Sequence, residues 1–168
     1  FAKINIEKLF EGAQFQAQQI SDENENTLYE VGQYLYNLKK DGVTQTVLMP
    51  YSSKLKNFSF WFTQLWAESL GKEMDKSGQS VNTGLTPIPA YGATDQHSQM
   101  QLFMEGPYDK AVIFLEIQKN TQDFSLKNNF ELKSLAKLAP YTLGTLMKAE
   151  LEGTLSAMTE KKRPFIHL

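Results

Sequence analysis

Two short runs carry side chains suited to moving protons. In "QLWAESLGK", Gln64 and Glu68 stand four residues apart, so on a helix both project from one face. Phe62, Leu65 and Trp66 precede Glu68 and could shield its carboxylate from water. Desolvation disfavours the charged form, raises the pKa and makes a glutamate a better general base near neutral pH. In "GATDQHS", His97 falls in the first turn of a helix that Thr94 or Asp95 could cap. The N–H groups of a helix start disfavour imidazolium, so a neutral histidine able to exchange protons near pH 7 is expected there. Each residue also has a plainer reading. Helix-end glutamates usually face solvent, a glutamine such as Gln64 is more often ordinary surface, and a first-turn histidine can serve merely as a cap. Glu105, Glu116, Asp95 and Lys72 are weaker candidates, with Lys72 and Asp95 suited to solvation and capping.

Other chemistries find little support. The chain has no cysteine, which removes disulfides, thiol nucleophiles and cysteine-based metal sites and fits a reducing cytosol. Two histidines without HExxH spacing argue against zinc. There is no P-loop or GxGxxG fingerprint, so no nucleotide cofactor is expected, and no serine nucleophile elbow. A net charge of −2 gives no reason to expect a nucleic-acid or anionic-membrane partner. No apolar run approaches the roughly 20 residues needed to span a bilayer. Lys161, Lys162 and Arg163 fall at a helix end, where they would complement its dipole.

The positioning elements follow from periodicity. Leu28, Val31, Leu35 and Leu38 mark a helix ending near Lys40 with Gly42 beyond it. "VTQTVLM" reads as a strand stopped by Pro50. The next helix carries Leu55, Phe58, Phe62, Leu65 and Trp66 on one stripe, reads as buried and ends before Gly71. Residues 72–86 read as a polar surface loop, 87–95 as a short strand and turn, and 96–106 as a short helix. "AVIFLEI" is a near-continuous apolar strand, as in a parallel sheet. After a polar linker come a helical pattern at 131–139, a break at Pro140, a long helix to about Lys161 and a strand beginning at "PFIHL". Strands alternating with helices predict an α/β fold with a mostly parallel, doubly wound sheet between helix layers, in a single domain of 168 residues. In such folds ligands sit beyond the carboxyl ends of the strands, which directs attention to "MPYSS" and "AYGATDQH".

Two long stretches, "VLMPYSSKLKNFSFWFTQLWAESLGK" and "GLTPIPAYGATDQHSQMQLFMEGPYDKAVIFLEI", strongly resemble bacterial glucose-6-phosphate isomerase (phosphoglucose isomerase). Fainter likeness at "INIEKLFEGAQ" and "LGTLMKAELEGTLSAMTEKKRPFIHL" extends it over the chain, to the family's second sugar-isomerase (SIS) domain. The resemblance implies an aldose–ketose isomerase of glycolysis and gluconeogenesis, cytoplasmic, without a cofactor, interconverting glucose 6-phosphate and fructose 6-phosphate. Glu68 of "ESLGK" matches the family's catalytic base, which moves a proton between C2 and C1 through a cis-enediol. His97 of "QHS" matches the histidine that assists opening of the sugar ring, supplied in this family by the second subunit of a homodimer. Gln64 matches a glutamine that contacts the sugar phosphate. The family's "GGRFS" segment, its Ser/Thr-rich phosphate loop and its "QPGVE" lysine are not in the chain, which begins at Phe1 without Met, so a piece of a longer protein is expected. Residues 22–42 are more polar than in many relatives. SIS domains also serve as non-catalytic sugar-phosphate sensors, and that binding-module alternative stays open beside the enzyme.

Overall fold

The structure, a computed structural model, describes residues 4–21, 26–118, 123–126 and 133–168. The chain divides into two compact units, residues 1–41 and 42–168. The first holds α1 (Ile6–Ser21), which the residue pattern did not announce, and α2 (Thr27–Lys40). No residue of α1 is buried, and Ile6, Leu9, Phe10 and Ile20 all stand in the open. Asn26 joins the two helices: its side chain accepts from the Tyr29 N–H at 3.1 Å and its amide donates to the Ile20 carbonyl at 2.8 Å.

The second unit is the α/β domain that alternation predicts. A sheet of four parallel strands runs in the order β4 (Thr86–Pro89), β1 (Gln45–Pro50), β5 (Lys110–Leu115), β6 (Phe165–His167). From β1 the chain passes through α3 (Lys56–Leu70) to β4, recrosses through α4 (Gln96–Glu105) to β5, and reaches β6 through α6 (Leu143–Glu160). Right-handed crossovers then place α3 on one face of the sheet and α4 and α6 on the other, the doubly wound arrangement. α3 packs on β4 and β1. On the opposite face Val47, Met49, Val112 and Phe114 meet Phe103 of α4 and Leu151 and Met158 of α6. Register explains the match: Val47 pairs with Val112 and Met49 with Phe114, so parallel neighbours present their side chains to the same side. Each of these apolar side chains contributes about 1.5–3 kcal/mol on burial.

β1 takes in Pro50 as its last residue and ends there, where a residue without an N–H closes the ladder. Residues 72–86 are not a plain loop. They fold into an antiparallel hairpin of β2 (Lys72–Met74) and β3 (Ser80–Thr83) before β4 begins. Its turn is built by Asp75, whose carboxylate accepts from the Ser77 and Gln79 N–H groups and the Ser77 hydroxyl, with Gly78 at φ +82°. The helical pattern at 131–139 shrinks to α5 (Lys133–Ala136), with 131 and 132 outside the described residues.

The aromatic helix α3 is not buried as its composition suggests. Ser59 is its one buried residue, Phe62 and Trp66 are half-buried and stacked at 4.8 Å, and Phe58, Phe60, Trp61 and Leu65 are each at least 40% exposed. One sheet face cannot cover a helix that is apolar almost all round. Among the described residues no helix is long and apolar enough to cross a membrane.

Candidate active site

Strand direction fixes where each candidate lies. α3 runs back from the carboxyl edge of β1, so Glu68 in its last turn sits at the edge where the parallel strands begin. α4 starts where β4 ends, so His97 sits at the edge where they finish. Six-residue strands separate these edges by roughly 20 Å at about 3.3 Å per residue.

Glu68 and Gln64 share one exposed face of α3, as their spacing predicts, with Gln64 Nε2 a long 3.4 Å from Glu68 Oε1. The expected shielding of Glu68 by Phe62, Leu65 and Trp66 is not found: the carboxylate stands in the open. Phe62 and Trp66 are half-buried and stack on each other, and Leu65 is itself exposed. Below it, Lys72 donates to the Ser69 and Gly71 carbonyls at 2.8 and 3.1 Å, satisfying acceptors that the helix end leaves free. The hairpin follows immediately. Lys72 therefore acts as a helix-end cation, more than the solvation its sequence suggested.

The His97 turn is held differently. Neither Thr94 nor Asp95 caps α4 through its side chain. Asp95 instead accepts from the Tyr91 N–H at 2.8 Å while its own N–H donates to the Tyr91 carbonyl at 2.7 Å, closing the turn on itself. Gly92 lies on the Tyr51 ring so closely that a β-carbon would come within 2.4 Å of it. Gln96 donates through its amide to the Thr154 hydroxyl of α6, and Thr154 donates in turn to the Glu150 carbonyl at 2.9 Å. Burial pushes the Tyr51 phenol above its ordinary value, with the neighbouring Thr154 hydroxyl acting in the opposite sense. His97 itself is exposed, on the rim of an open groove of about 600 Å³ between α4 and α6, beside Glu150 and Met100.

At the other end of α4, Arg163 donates to the carbonyls of Met104, Gly106 and Pro107 at 2.9–3.3 Å. The basic run after α6 thus serves the dipole of α4, not only that of its own helix. Of the lower-ranked candidates, Glu116 pairs with His167 at 3.0 Å. Ligands were expected at "MPYSS" after β1 and "AYGATDQH" after β4; beyond β1, two adjoining clefts of about 330 and 350 Å³ share Tyr51, Asp123, Gly144 and Met147, one reaching Tyr91 and the other Glu116 after β5. They contain neither Glu68 nor His97. The Asp123 carboxylate already takes the Gly144 N–H at 2.8 Å and the Phe124 N–H at 2.9 Å, at the start of α6. Those bonds, led by the Thr142 hydroxyl, hold its carboxyl below the usual range. No cluster of three or more metal-ligating side chains occurs among the described residues.

Sequence reasoning missed Tyr51, Gly92, Gln96, Thr154 and Arg163 as supports. Of these, Gly92 and Gln96 lie within "GATDQHS" itself, which was the local hint.

Comparison with known proteins agrees with the motifs. The family model for phosphoglucose isomerase matches residues 4–148. A glucose-6-phosphate isomerase of Carboxydothermus hydrogenoformans is 38% identical over 96% of this chain and 35% of its own length. A probable glucose-6-phosphate isomerase of Haloquadratum walsbyi is 37% identical over 98% of this chain and 36% of its own. A crystal structure of a hypothetical protein from Thermus thermophilus superposes with a TM-score of 0.90 at 32% identity, covering 100% of this chain and 40% of that one. The chain thus spans about a third of the length of the curated relatives it matches. It belongs to the phosphoglucose isomerase family.

Proposed function

We propose that the chain is the second SIS domain of a homodimeric, cytoplasmic glucose-6-phosphate isomerase acting in glycolysis and gluconeogenesis. In this reading His97 transfers a proton at the ring oxygen and opens the sugar. Glu68 then takes the proton from C2 of the open-chain aldose and returns it to C1 through a cis-enediol, as the hydroxyl proton passes from O2 to O1. Electrons balance within the sugar: C2 is oxidised as C1 is reduced, so no cofactor takes part. Gln64 contacts the phosphate end and lies beside the base.

The observation that carries the reading is the separation of Glu68 and His97 at opposite edges of one sheet. Two proton-transfer residues so far apart serve two different sites, which supports an active site completed by a second subunit. The open face around Glu68, with Trp61 and Leu65 exposed beside it, supports a base shielded by surfaces outside this domain. A domain holding the base without those surfaces should turn over little by itself.

The test is a coupled assay of fructose 6-phosphate conversion on the full-length protein, its Glu68→Gln variant and this chain alone. Activity in the full-length protein should fall about 10²–10⁴-fold in the variant, with circular dichroism unchanged, and be minimal in the isolated chain. An inactive full-length protein, or a variant that keeps its rate, would put a non-catalytic sugar-phosphate-binding module in place of the isomerase.

A further inference from the structure

We infer that Gln96 and Thr154 are positioning residues for His97, a strut from α6 that fixes the first turn of α4 for ring opening. The inference rests on the isomerase reading given above. α4 begins without a side-chain cap, because Asp95 is committed to the Tyr91 N–H. Without a side-chain cap the first turn of this ten-residue helix is held by backbone bonds alone, such as Gln96 N–H to the Ala93 carbonyl at 3.1 Å, and helix ends so held fray. Gln96, the residue directly before His97, removes this freedom by bonding to Thr154, 58 residues along the chain.

The chemistry of Thr154 makes the strut directional. Its hydroxyl has one proton, and that proton goes to the Glu150 carbonyl within its own helix. The oxygen is then left as an acceptor, and the Gln96 amide is the donor it receives. Thr154 is 8% exposed, in a seam whose other buried α6 residues are Leu151 and Met158. For packing alone a valine would fill that place without burying a hydroxyl. From below, the enclosed Tyr51 hydroxyl faces Thr154 without a hydrogen bond of good geometry, and the Tyr51 ring supports Gly92. The turn carrying His97 is therefore braced by Tyr51, just past β1, and by α6 at once. Displacements of about 1 Å at a reacting group can cost on the order of 10²-fold in rate, which is the scale such bracing protects.

Ring opening can be read apart from isomerisation, because opening and reclosing interconverts the anomers of fructose 6-phosphate without any proton transfer at carbon. The experiment measures anomer interconversion in the full-length enzyme carrying Glu68→Gln, to which Thr154→Val, Gln96→Met, both together, or Thr154→Ser is added. Each single change should slow interconversion about 10- to 100-fold. The double variant should be no slower than either single, because both remove one bond. Thr154→Ser, which keeps the hydroxyl, should restore the rate to within about threefold. Unchanged interconversion in either single variant, or additive losses, overturns the inference even where thermal stability falls. Should Thr154→Val fail to fold, Gln96→Met and Thr154→Ser decide the matter. Failure of the isomerase reading itself shows elsewhere, as interconversion that is insensitive to His97→Ala.

Discussion

At the edge where the strands begin, Glu68 stands on a helix end held by Lys72 and followed by an exposed hairpin. At the edge where they finish, His97 stands on a turn closed by Asp95, floored by Tyr51 and tied to α6 through Thr154. The first region leaves the proposed base open, with Trp61 and Phe60 exposed on the same helix. The second leaves its histidine exposed as well, but fixes the backbone beneath it on three sides. The difference suits the proposed roles. A base that must be shielded from water receives its shield from surfaces it docks against, whereas a residue offered to another subunit carries its own support.

The strongest way to break the comparison is to separate the two residues genetically. Glu68→Gln and His97→Ala variants of the full-length protein should each be nearly inactive. Mixed and allowed to exchange subunits, they should recover about a quarter of wild-type activity, since half the dimers are mixed and each holds one intact site in a two-fold dimer. No recovery, with exchange demonstrated, would mean that both residues serve one site within a chain.

Glycine substitutions sharpen the contrast in stability. Gly92→Ala drives a β-carbon into the Tyr51 ring and should cost about 3 kcal/mol. Gly84→Ala, at the Glu68 end, meets its nearest atom at an ordinary 3.5 Å and should stay within about 0.5 kcal/mol of wild type. Thermal melts of the two variants test this pair, and equal losses would contradict it. The cations that close the two helices should differ less. Arg163→Ala, which strips three carbonyls of a charged donor, should cost about 2 kcal/mol. Lys72→Ala, exposed to solvent, should cost about 0.5 kcal/mol.

The smallest effects come from titration. Asp75 in the hairpin is held below its ordinary value of 3.8 mainly by the Ser77 hydroxyl, and Asp123 below the same value mainly by the Thr142 hydroxyl. A depressed folded-state pKa contributes stability that is present above the unfolded value and lost as pH falls through the folded one. Both segments should therefore loosen only below about pH 3.8, and carboxyl NMR titrations should find both groups below that value. Tyr51 acts on the alkaline side: its raised pKa keeps the phenol protonated in the fold, so stability declines as pH rises above 10.0.

Much of this was legible in the sequence. β1, β5, α2, α4 and α6 declare themselves through apolar periodicity, and the parallel doubly wound sheet follows from their alternation. The hairpin did not, because every residue from 71 to 80 is exposed and leaves no alternating pattern, although Asp75 and Gly78 hold the turn chemistry. α3 misled for the opposite reason, since its apolar residues outnumber the sheet surface available to bury them. At the site, Glu68 and His97 are individually ordinary residues, and only the motifs around them make them candidates. The strut between Gln96 and Thr154 links positions 58 apart through a glutamine and a threonine that are commonplace alone, so no local signal announces it.

Asp123 has a consequence for how the domain meets anions. Its carboxylate already takes the Gly144 N–H at the start of α6, the place where a fold of this topology would welcome a phosphate. The chain is its own counter-ion there. Phosphate or sulfate in solution finds that doorway occupied and repelled by like charge, and raising either should leave the melting temperature of the domain unmoved by anything beyond ordinary salt.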